Sequence, residues 1–143
     1  MDSVLFHLAF PVQNLEETKA FYVEGLGCQM GRESRHALIL SLYGHQLVAH
    51  VTDEPLTPQT GIYPRHFGLV FPQKSDWDEL LQRSQDRNLR FFQQPKQRFP
   101  GQLTEHFTFF LADPFQNYLE FKHYCHPEAI FGAREMTAVG DRT

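Results

Sequence analysis

The alternation of apolar and polar residues predicts a β-α-β-β-β order for the first half of the chain. Residues 3–11 form a short apolar run that is typical of a strand, and residues 14–27 place apolar side chains near helical spacing behind Asn14, a capping residue. Residues 28–33 predict a second strand. Residues 36–51 alternate on either side of a Tyr-Gly pair, which predicts a hairpin of two further strands.

The second half repeats this order after a proline-rich linker, residues 52–63. The predicted elements that follow are, in chain order, a strand at 65–72, a helix at 75–88 with Ser75 as its cap, a strand at 89–93, a polar loop at 94–104 and two strands that flank the turn at 113–116. The two halves are also similar in sequence, since the segment HLAFP, which begins at His7, resembles HFGLVFP, which begins at His66.

An internal repeat of this length constrains the whole fold. We therefore expect a single α+β domain, residues 1–143, in which duplicated βαβββ modules form a half-open, barrel-like cleft. The first module spans residues 3–51, and the second module spans residues 64–124. Residues 125–143 form a C-terminal tail without clear periodicity.

Composition and charge exclude several classes of partner. The formal net charge is −4, which argues against nucleic acid or an anionic membrane surface as the main partner. No apolar run approaches the roughly 20 residues that cross a bilayer. The N-terminus lacks the basic region of a secretory signal, and two cysteines are too few for a disulfide framework. We expect a cytoplasmic protein.

The eight histidines suggest a metal centre built from imidazole and carboxylate ligands. In a duplicated βαβββ protein, inward side chains of the first and last strands of each module meet at the centre of the cleft. The first strands offer His7 and His66, and the last strand of the second module offers Glu120. Two histidines and one carboxylate form the ligand set of non-heme Fe(II) oxygenases, in which the other coordination positions stay open.

Each candidate ligand has a structural alternative. His7 lies in an apolar strand, where a lone histidine is commonly a hydrogen-bonded core residue, and its counterpart at His66 is what favours ligation. Glu120 lies within an apolar alternation, and a buried carboxylate costs several kcal/mol unless it is paired or bound to a metal. The alternatives for Glu120 are a basic partner on the same face or simple exposure. His50, on the last strand of the first module, is either a fourth ligand or a residue that orients a ligand or acts as an acid/base.

Four further residues are candidates for substrate binding. Arg98 and Phe99 lie in the long loop before the penultimate strand, and such a loop is a natural specificity element. His106 begins the strand next to the glutamate strand. Lys122 shares the face of Glu120 and could pair with it or with an anionic substrate.

These features resemble the vicinal oxygen chelate superfamily, which includes glyoxalase I, fosfomycin-resistance transferases, bleomycin-binding proteins and type I extradiol dioxygenases. The resemblance rests on His7, His66 and the segment DPFQNYLEF, residues 113–121, and it covers about residues 3–124. The stretches GHQLVAH, RHFGLVF, RFPGQ and FLADPFQNYLEFK are further similar to a branch of small proteins described as predicted extradiol dioxygenases.

The resemblance implies a glyoxalase/dioxygenase-like fold with Fe(II) or Mn(II) held by His7, His66 and Glu120. It implies a homodimer that acts on a small aromatic vicinal diol and O2, with the two adjacent diol oxygens on the metal. A glyoxalase normally places a carboxylate on the last strand of the first module, where this chain offers His50. The alternatives are a glyoxalase-like lyase or isomerase that uses Ni(II), Zn(II) or Co(II), and a non-catalytic protein that binds a small molecule.

Overall fold

The computed structural model describes residues 3–142, which fold into two sheets of four strands with few helices. The elements of the first module are β1 (His7–Val12), α1 (Leu15–Thr18), which continues as a π-helix (Lys19–Gly25), β2 (Gln29–Glu33), β3 (Ala37–Leu42) and β4 (His45–Val51). Those of the second module are β5 (Phe67–Val70), α2 (Lys74–Asp86), β6 (Phe91–Arg98), β7 (His106–Ala112) and β8 (Tyr118–Tyr124). A short 3-10 helix, Pro127–Ala129, begins the tail. Within residues 3–142, no helix has both the length and the apolar character needed to cross a membrane.

The two sheets have the same topology. The first has the strand order β1-β4-β3-β2 and the second β5-β8-β7-β6. In each sheet the first and last strands of the module pair in parallel, and the other neighbours pair antiparallel. The predicted fold of duplicated βαβββ modules is therefore confirmed, and the sheets do not close into a barrel.

One face of each sheet packs against its module's helix and forms the hydrophobic core. In the first module, Leu38, Leu40 and Leu42 of β3 are buried while the residues between them are only partly buried, which is the pattern of a strand with one core face. In the second module, Trp77 of α2 packs on Phe109 with a centroid distance of 5.5 Å. The other face of each sheet is left for function.

The predicted caps differ in outcome. The Asn14 cap is confirmed, since its side-chain oxygen accepts a hydrogen bond from the backbone N–H of Glu17 at 2.8 Å. The Ser75 cap is wrong, because α2 begins at Lys74 and Gln73 occupies the capping position without a side-chain hydrogen bond. Ser75 instead lies in the first turn of the helix.

The polar loop predicted for residues 94–104 is also wrong in its first part. Strand β6 runs to Arg98 and passes through Pro95. Proline is tolerated there because β6 is the edge strand of the second sheet, and the pairing of β6 with β7 is irregular between Gln93 and Lys96. This longer strand places Arg98 opposite His106 in the sheet.

A buried carboxylate joins the two modules. Asp113 is 1% exposed and accepts hydrogen bonds from the Tyr22 hydroxyl of the first module at 2.7 Å and from the backbone N–H groups of Phe115 and Asn117. The Asn117 side chain also donates to the backbone carbonyl of Pro11 at 3.1 Å. The DPFQN segment therefore has a structural role, and it fixes β1 next to the start of β8.

Candidate active site

The candidate site lies on the face of the second sheet that points away from α2. On this face, Gly68 of β5 lies opposite Glu120 of β8, and Phe110 of β7 lies on the other side of Glu120. Because side chains alternate along a strand, Thr108 and Lys122 share this face. The sheet register thus gathers polar side chains from three strands around one carboxylate.

His66 and Glu120 are in direct contact. The Nε2 atom of His66 lies 3.1 Å from Oε1 of Glu120, and His66 directly precedes β5. The other ring nitrogen, Nδ1, lies 2.7 Å from the backbone carbonyl of Ile62. Both ring nitrogens therefore lie within hydrogen-bond distance of an oxygen acceptor, an arrangement that favours the protonated ring. The hydrogen bond to Glu120 raises the pKa of His66, although burial opposes this shift.

Two other side chains hold the carboxylate of Glu120. The Thr108 hydroxyl donates to Oε2 at 2.6 Å, and Nζ of Lys122 lies 3.9 Å from Oε1. Burial alone would raise the pKa of Glu120, but the hydrogen bond from His66, the charge of Lys122 and the bond from Thr108 together hold it below its usual range. Glu120 is therefore an oriented, ionised carboxylate whose side chain is only 11% exposed.

His106 is a buried histidine beside this pair. Its Nδ1 donates to the backbone carbonyl of Thr104 at 2.9 Å, so its Nε2 is a free acceptor when the ring is neutral. Burial lowers the pKa of His106, which keeps the ring neutral near pH 7. Its ring lies 4.8 Å from that of Tyr124 and 6.0 Å from that of Phe99.

A cavity of about 310 Å³ opens in front of these residues. All four predicted substrate-binding residues line it, namely Arg98, Phe99, His106 and Lys122. Aromatic rings form much of the wall, and the ring of Phe110 lies 5.2 Å from that of His66. Residues of the C-terminal tail, between 129 and 140, also line the cavity.

The first sheet places His7 and His50 elsewhere. His7 is exposed on β1, and its Nδ1 lies 2.7 Å from Oε1 of Gln46. His50 is exposed near the end of β4 and lies opposite Pro11. Among residues 3–142 of one chain, no group of three His, Cys, Asp or Glu side chains is arranged to hold a metal ion. One chain thus brings together His66 and Glu120 but brings neither His7 nor His50 to them.

The register of the two sheets identifies equivalent positions. Ala9 lies opposite Val48 in the first sheet, as Gly68 lies opposite Glu120 in the second. His7 and His66 each precede those first-strand residues by two positions. The equivalent of Glu120 is therefore Val48, and His50 stands at the position that Lys122 occupies in the second module.

Sequence reasoning missed three residues of this region: Tyr63, which lines the cavity, and Thr108 and Asp141, which contact the lining residues Glu120 and Arg98. Thr108 was hidden in the phenylalanine-rich β7, although alternation with its neighbours could have indicated the glutamate face. Tyr63 and Asp141 lie in segments without periodicity. Asp141 pairs with the guanidinium of Arg98, and this hydrogen bond holds the pKa of Asp141 below its usual range.

Comparisons with known proteins agree with this architecture. A family model described as the glyoxalase/bleomycin resistance protein/dioxygenase superfamily matches residues 4–121. A glyoxalase/bleomycin resistance protein/dioxygenase from Alicyclobacillus acidocaldarius is 39% identical, with 90% of this chain and 97% of that chain covered and a TM-score of 0.85. The fosfomycin resistance protein FosX from Listeria monocytogenes is 18% identical, with 90% and 99% covered and a TM-score of 0.66. None of the curated proteins with which the chain was compared matches it.

The fold and the site define a protein of paired βαβββ modules with a histidine–glutamate pair on the open face of one sheet. The family match covers most of the chain, and the chain belongs to the glyoxalase/bleomycin resistance protein/dioxygenase superfamily. Members of this superfamily are commonly enzymes and generally bind a divalent metal.

Proposed function

We propose that the protein is a non-heme Fe(II) dioxygenase of the extradiol type that acts on a small aromatic vicinal diol. The contact between His66 and Glu120 at the wall of the cavity carries this proposal. Imidazole nitrogen and carboxylate oxygen suit Fe(II), and they also accept Mn(II), Ni(II) or Zn(II). A cytoplasmic location fits the proposal, because the free thiols of Cys28 and Cys125 and a ferrous centre both need a reducing compartment.

The residues present fit a divalent metal. The bond from Nδ1 of His66 to the Ile62 carbonyl orients Nε2 toward Glu120, which is the usual support for a metal-bound histidine. The Thr108 hydroxyl donates a hydrogen bond to Oε2 of Glu120, so Oε1 is the carboxylate oxygen that would bind a metal. A metal would take the place of the proton that His66 now shares with Glu120.

We propose that His7 of a second copy supplies the third ligand. One chain brings the two proposed ligands His66 and Glu120 together at the second sheet, and its exposed His7 lies at the equivalent position of the first sheet. The residues before His7 are apolar and exposed, with Val4 84%, Leu5 69% and Phe6 59% accessible. Exposed apolar residues beside an unused ligand mark a surface that another protein surface covers. In a two-fold symmetric dimer, each first sheet would face the partner's second sheet, so both sites would be completed by one contact.

The cavity residues have distinct roles in this proposal. His66 and Glu120 would hold Fe(II), which would supply the redox chemistry with O2. His106 is neutral and directs a free Nε2 at the cavity, so it accepts the proton of a diol hydroxyl. The rings of Phe99, Phe110 and Tyr124 contact the aromatic ring of the substrate and exclude water. Lys122 neutralises the negative charge that deprotonation of the diol leaves.

The test is the metal content of untagged protein purified without oxygen, followed by O2 uptake with a panel of catechols. We expect near-stoichiometric iron and O2 consumption in the native protein. His66→Ala and Glu120→Ala should lose tight metal binding while the fold is retained. His36→Ala is the matched control, because His36 is an exposed histidine outside the cavity and its main chain alone makes the bond to Val51.

Other outcomes overturn the proposal in defined ways. Zinc or nickel without O2 uptake would assign the metal centre to a lyase or isomerase. Absence of metal after reconstitution would leave a protein that binds a small molecule without chemistry. Full metal content in His66→Ala would refute the ligand assignment itself.

A further inference from the structure

The C-terminal tail forms one side of the cavity that His66 and Glu120 line. Residues 129–133, 136 and 138–140 contribute to its lining, and most of these are small or apolar. Asp141 then reaches back to the sheet, where its backbone N–H donates to the Tyr63 hydroxyl at 2.8 Å. The guanidinium of Arg142 lies 4.4 Å from the centre of the Tyr63 ring. The tail is thus held at its end by contacts with the cavity wall.

The strongest of these contacts is a forked ion pair. The two terminal nitrogens of Arg98 donate to the two carboxylate oxygens of Asp141, with Nη2 3.1 Å from Oδ2. This is the planar geometry in which an arginine recognises a carboxylate. The partners differ in burial, because the side chain of Arg98 is 6% exposed and that of Asp141 is 50% exposed. Arg98 is thus a buried residue at the end of β6, whereas Asp141 is a half-exposed residue of the tail.

Arg98 retains an unused donor. Its Nε is buried and has no hydrogen-bond partner within residues 3–142. Buried donors are almost always satisfied in folded proteins, so the hydrogen bonds that Arg98 makes in this structure leave part of its guanidinium unused. The Asp141 carboxylate uses only the two terminal nitrogens of this group.

The charges of the cavity favour an anion. His66 and Glu120 compensate each other, and Asp141 compensates Arg98, which leaves Lys122 beside the pair. When Asp141 leaves, two cations, Arg98 and Lys122, face the cavity without a counter-charge from these residues. A positively charged wall of this kind attracts a negatively charged small molecule.

We propose that Arg98 is the binding site for a carboxylate of the substrate, and that Asp141 occupies this site until the substrate displaces it. The tail is then a lid that carries an internal mimic of the substrate's carboxylate. Combined with the proposed function, on which this part rests, the substrate class is an aromatic vicinal diol that bears a carboxylate. Arg98, His66 and Glu120 all line the same cavity, so one substrate molecule would contact both Arg98 and the proposed metal site.

The test uses metal-free full-length protein, so that neither metal nor O2 enters the measurement. The probes are benzoate and its neutral isostere benzamide, and the readout is the ratio of their affinities by calorimetry. We expect wild-type protein to prefer benzoate. Asp141→Asn should increase that preference at least about tenfold, because it removes a tethered competitor for a charge-assisted hydrogen bond. Arg98→Gln should abolish the preference, and Glu135→Gln, an exposed tail residue outside the cavity, should leave it unchanged.

A second readout follows the lid itself. Trypsin cleavage after Arg134, an exposed residue of the tail, should become faster when benzoate is added to wild-type protein, and faster without benzoate in Asp141→Asn. If Arg98→Gln fails to fold, Arg98→Lys keeps the charge but not the fork, and it should reduce the preference for benzoate. Equal preference in wild type and Asp141→Asn, or retained preference in the Arg98 variant, would overturn the proposal. The dioxygenase proposal is tested separately, by metal content and O2 uptake. Failure of one proposal can therefore be distinguished from failure of the other.

Discussion

The two modules share one topology and differ in chemistry. At equivalent positions, the first sheet has Ala9 opposite Val48 and the second has Gly68 opposite Glu120. The second sheet places His66 and Thr108 in contact with its carboxylate, whereas the first sheet has Ala9 and Ile39 opposite Val48. A buried carboxylate is stable only where such partners exist. Duplication therefore supplied two scaffolds, and the polar partners confine the carboxylate to one of them.

The two modules also differ in how closely their first and last strands approach, and this accounts for Gly68 in β5. A Cβ atom on Gly68 would lie 1.6 Å from the backbone oxygen of Glu120, so β5 and β8 approach too closely at this point for any side chain. The equivalent residue, Ala9, has a Cβ atom and still pairs with β4. The close approach thus belongs to the strand pair that carries the candidate site, and it fixes the backbone of Glu120.

The largest predicted effect is that of adding a side chain to Gly68. Gly68→Ala should lower the free energy of unfolding by about 3 kcal/mol, because the added methyl group must displace the backbone of Glu120. Its matched variant, Ala9→Gly, should cost only about 0.5–1 kcal/mol, which is the ordinary cost of glycine in a strand. Denaturant unfolding measures both values. Equal costs would show that β5 and β8 do not approach as closely as the structure describes.

The next prediction concerns the pH dependence of the His66–Glu120 pair, which has no counterpart at Val48. In the metal-free protein the pKa of His66 is raised by its bond to Glu120. The pair therefore contributes its full stability below the ordinary histidine pKa of about 6.5, and this contribution is lost as the pH rises through the higher pKa of the folded state. The stability difference between wild type and Glu120→Gln should shrink over this range.

Metal affinity should change in the opposite direction. A metal can bind Nε2 of His66 only after its proton leaves, so affinity should increase and proton release decrease as the pH rises through the pKa of His66. Calorimetry of Zn(II) binding in two buffers of different ionisation enthalpy measures the released proton. Metal binding without proton release at pH 6 would contradict the assignment of His66 as a ligand.

The smallest predicted effect is that of removing the side chain of His50. This residue is exposed and occupies the position equivalent to Lys122 rather than that of Glu120. His50→Ala should therefore leave metal content unchanged and alter the free energy of unfolding by no more than about 0.5 kcal/mol. Loss of metal in this variant would restore His50 as a fourth ligand.

Local sequence signals were sufficient for most of the fold. The hairpin pattern of β3 and β4 and the cap at Asn14 predicted elements that the structure confirms. The strand through Pro95 was not predictable from local sequence, because its residues are polar and only the pairing with β7 holds them extended. The π-helix, Lys19–Gly25, depends similarly on how the helix packs. Nonlocal contacts decide such segments.

The site was predictable where the duplication constrains it. The repeat indicated that His66 and Glu120 would meet, and they are in contact. It could not indicate whether His7 would meet them within one chain or from a second copy, because the order of elements is the same in both cases. The pairing of Arg98 with Asp141 joins a strand to a tail without periodicity, so no sequence pattern predicted it.

The most direct test of the account is metal binding by a mixed dimer of His7→Ala and His66→Ala chains. If His7 completes the partner's site, each variant alone lacks an intact centre, but the mixed dimer has one site with both defects and one site with neither. We predict that the two variants bind no metal tightly on their own, and that the mixed dimer regains metal at one of its two sites. Failure of the mixed dimer to regain metal, while both variants remain folded and dimeric, would contradict a centre shared between two copies.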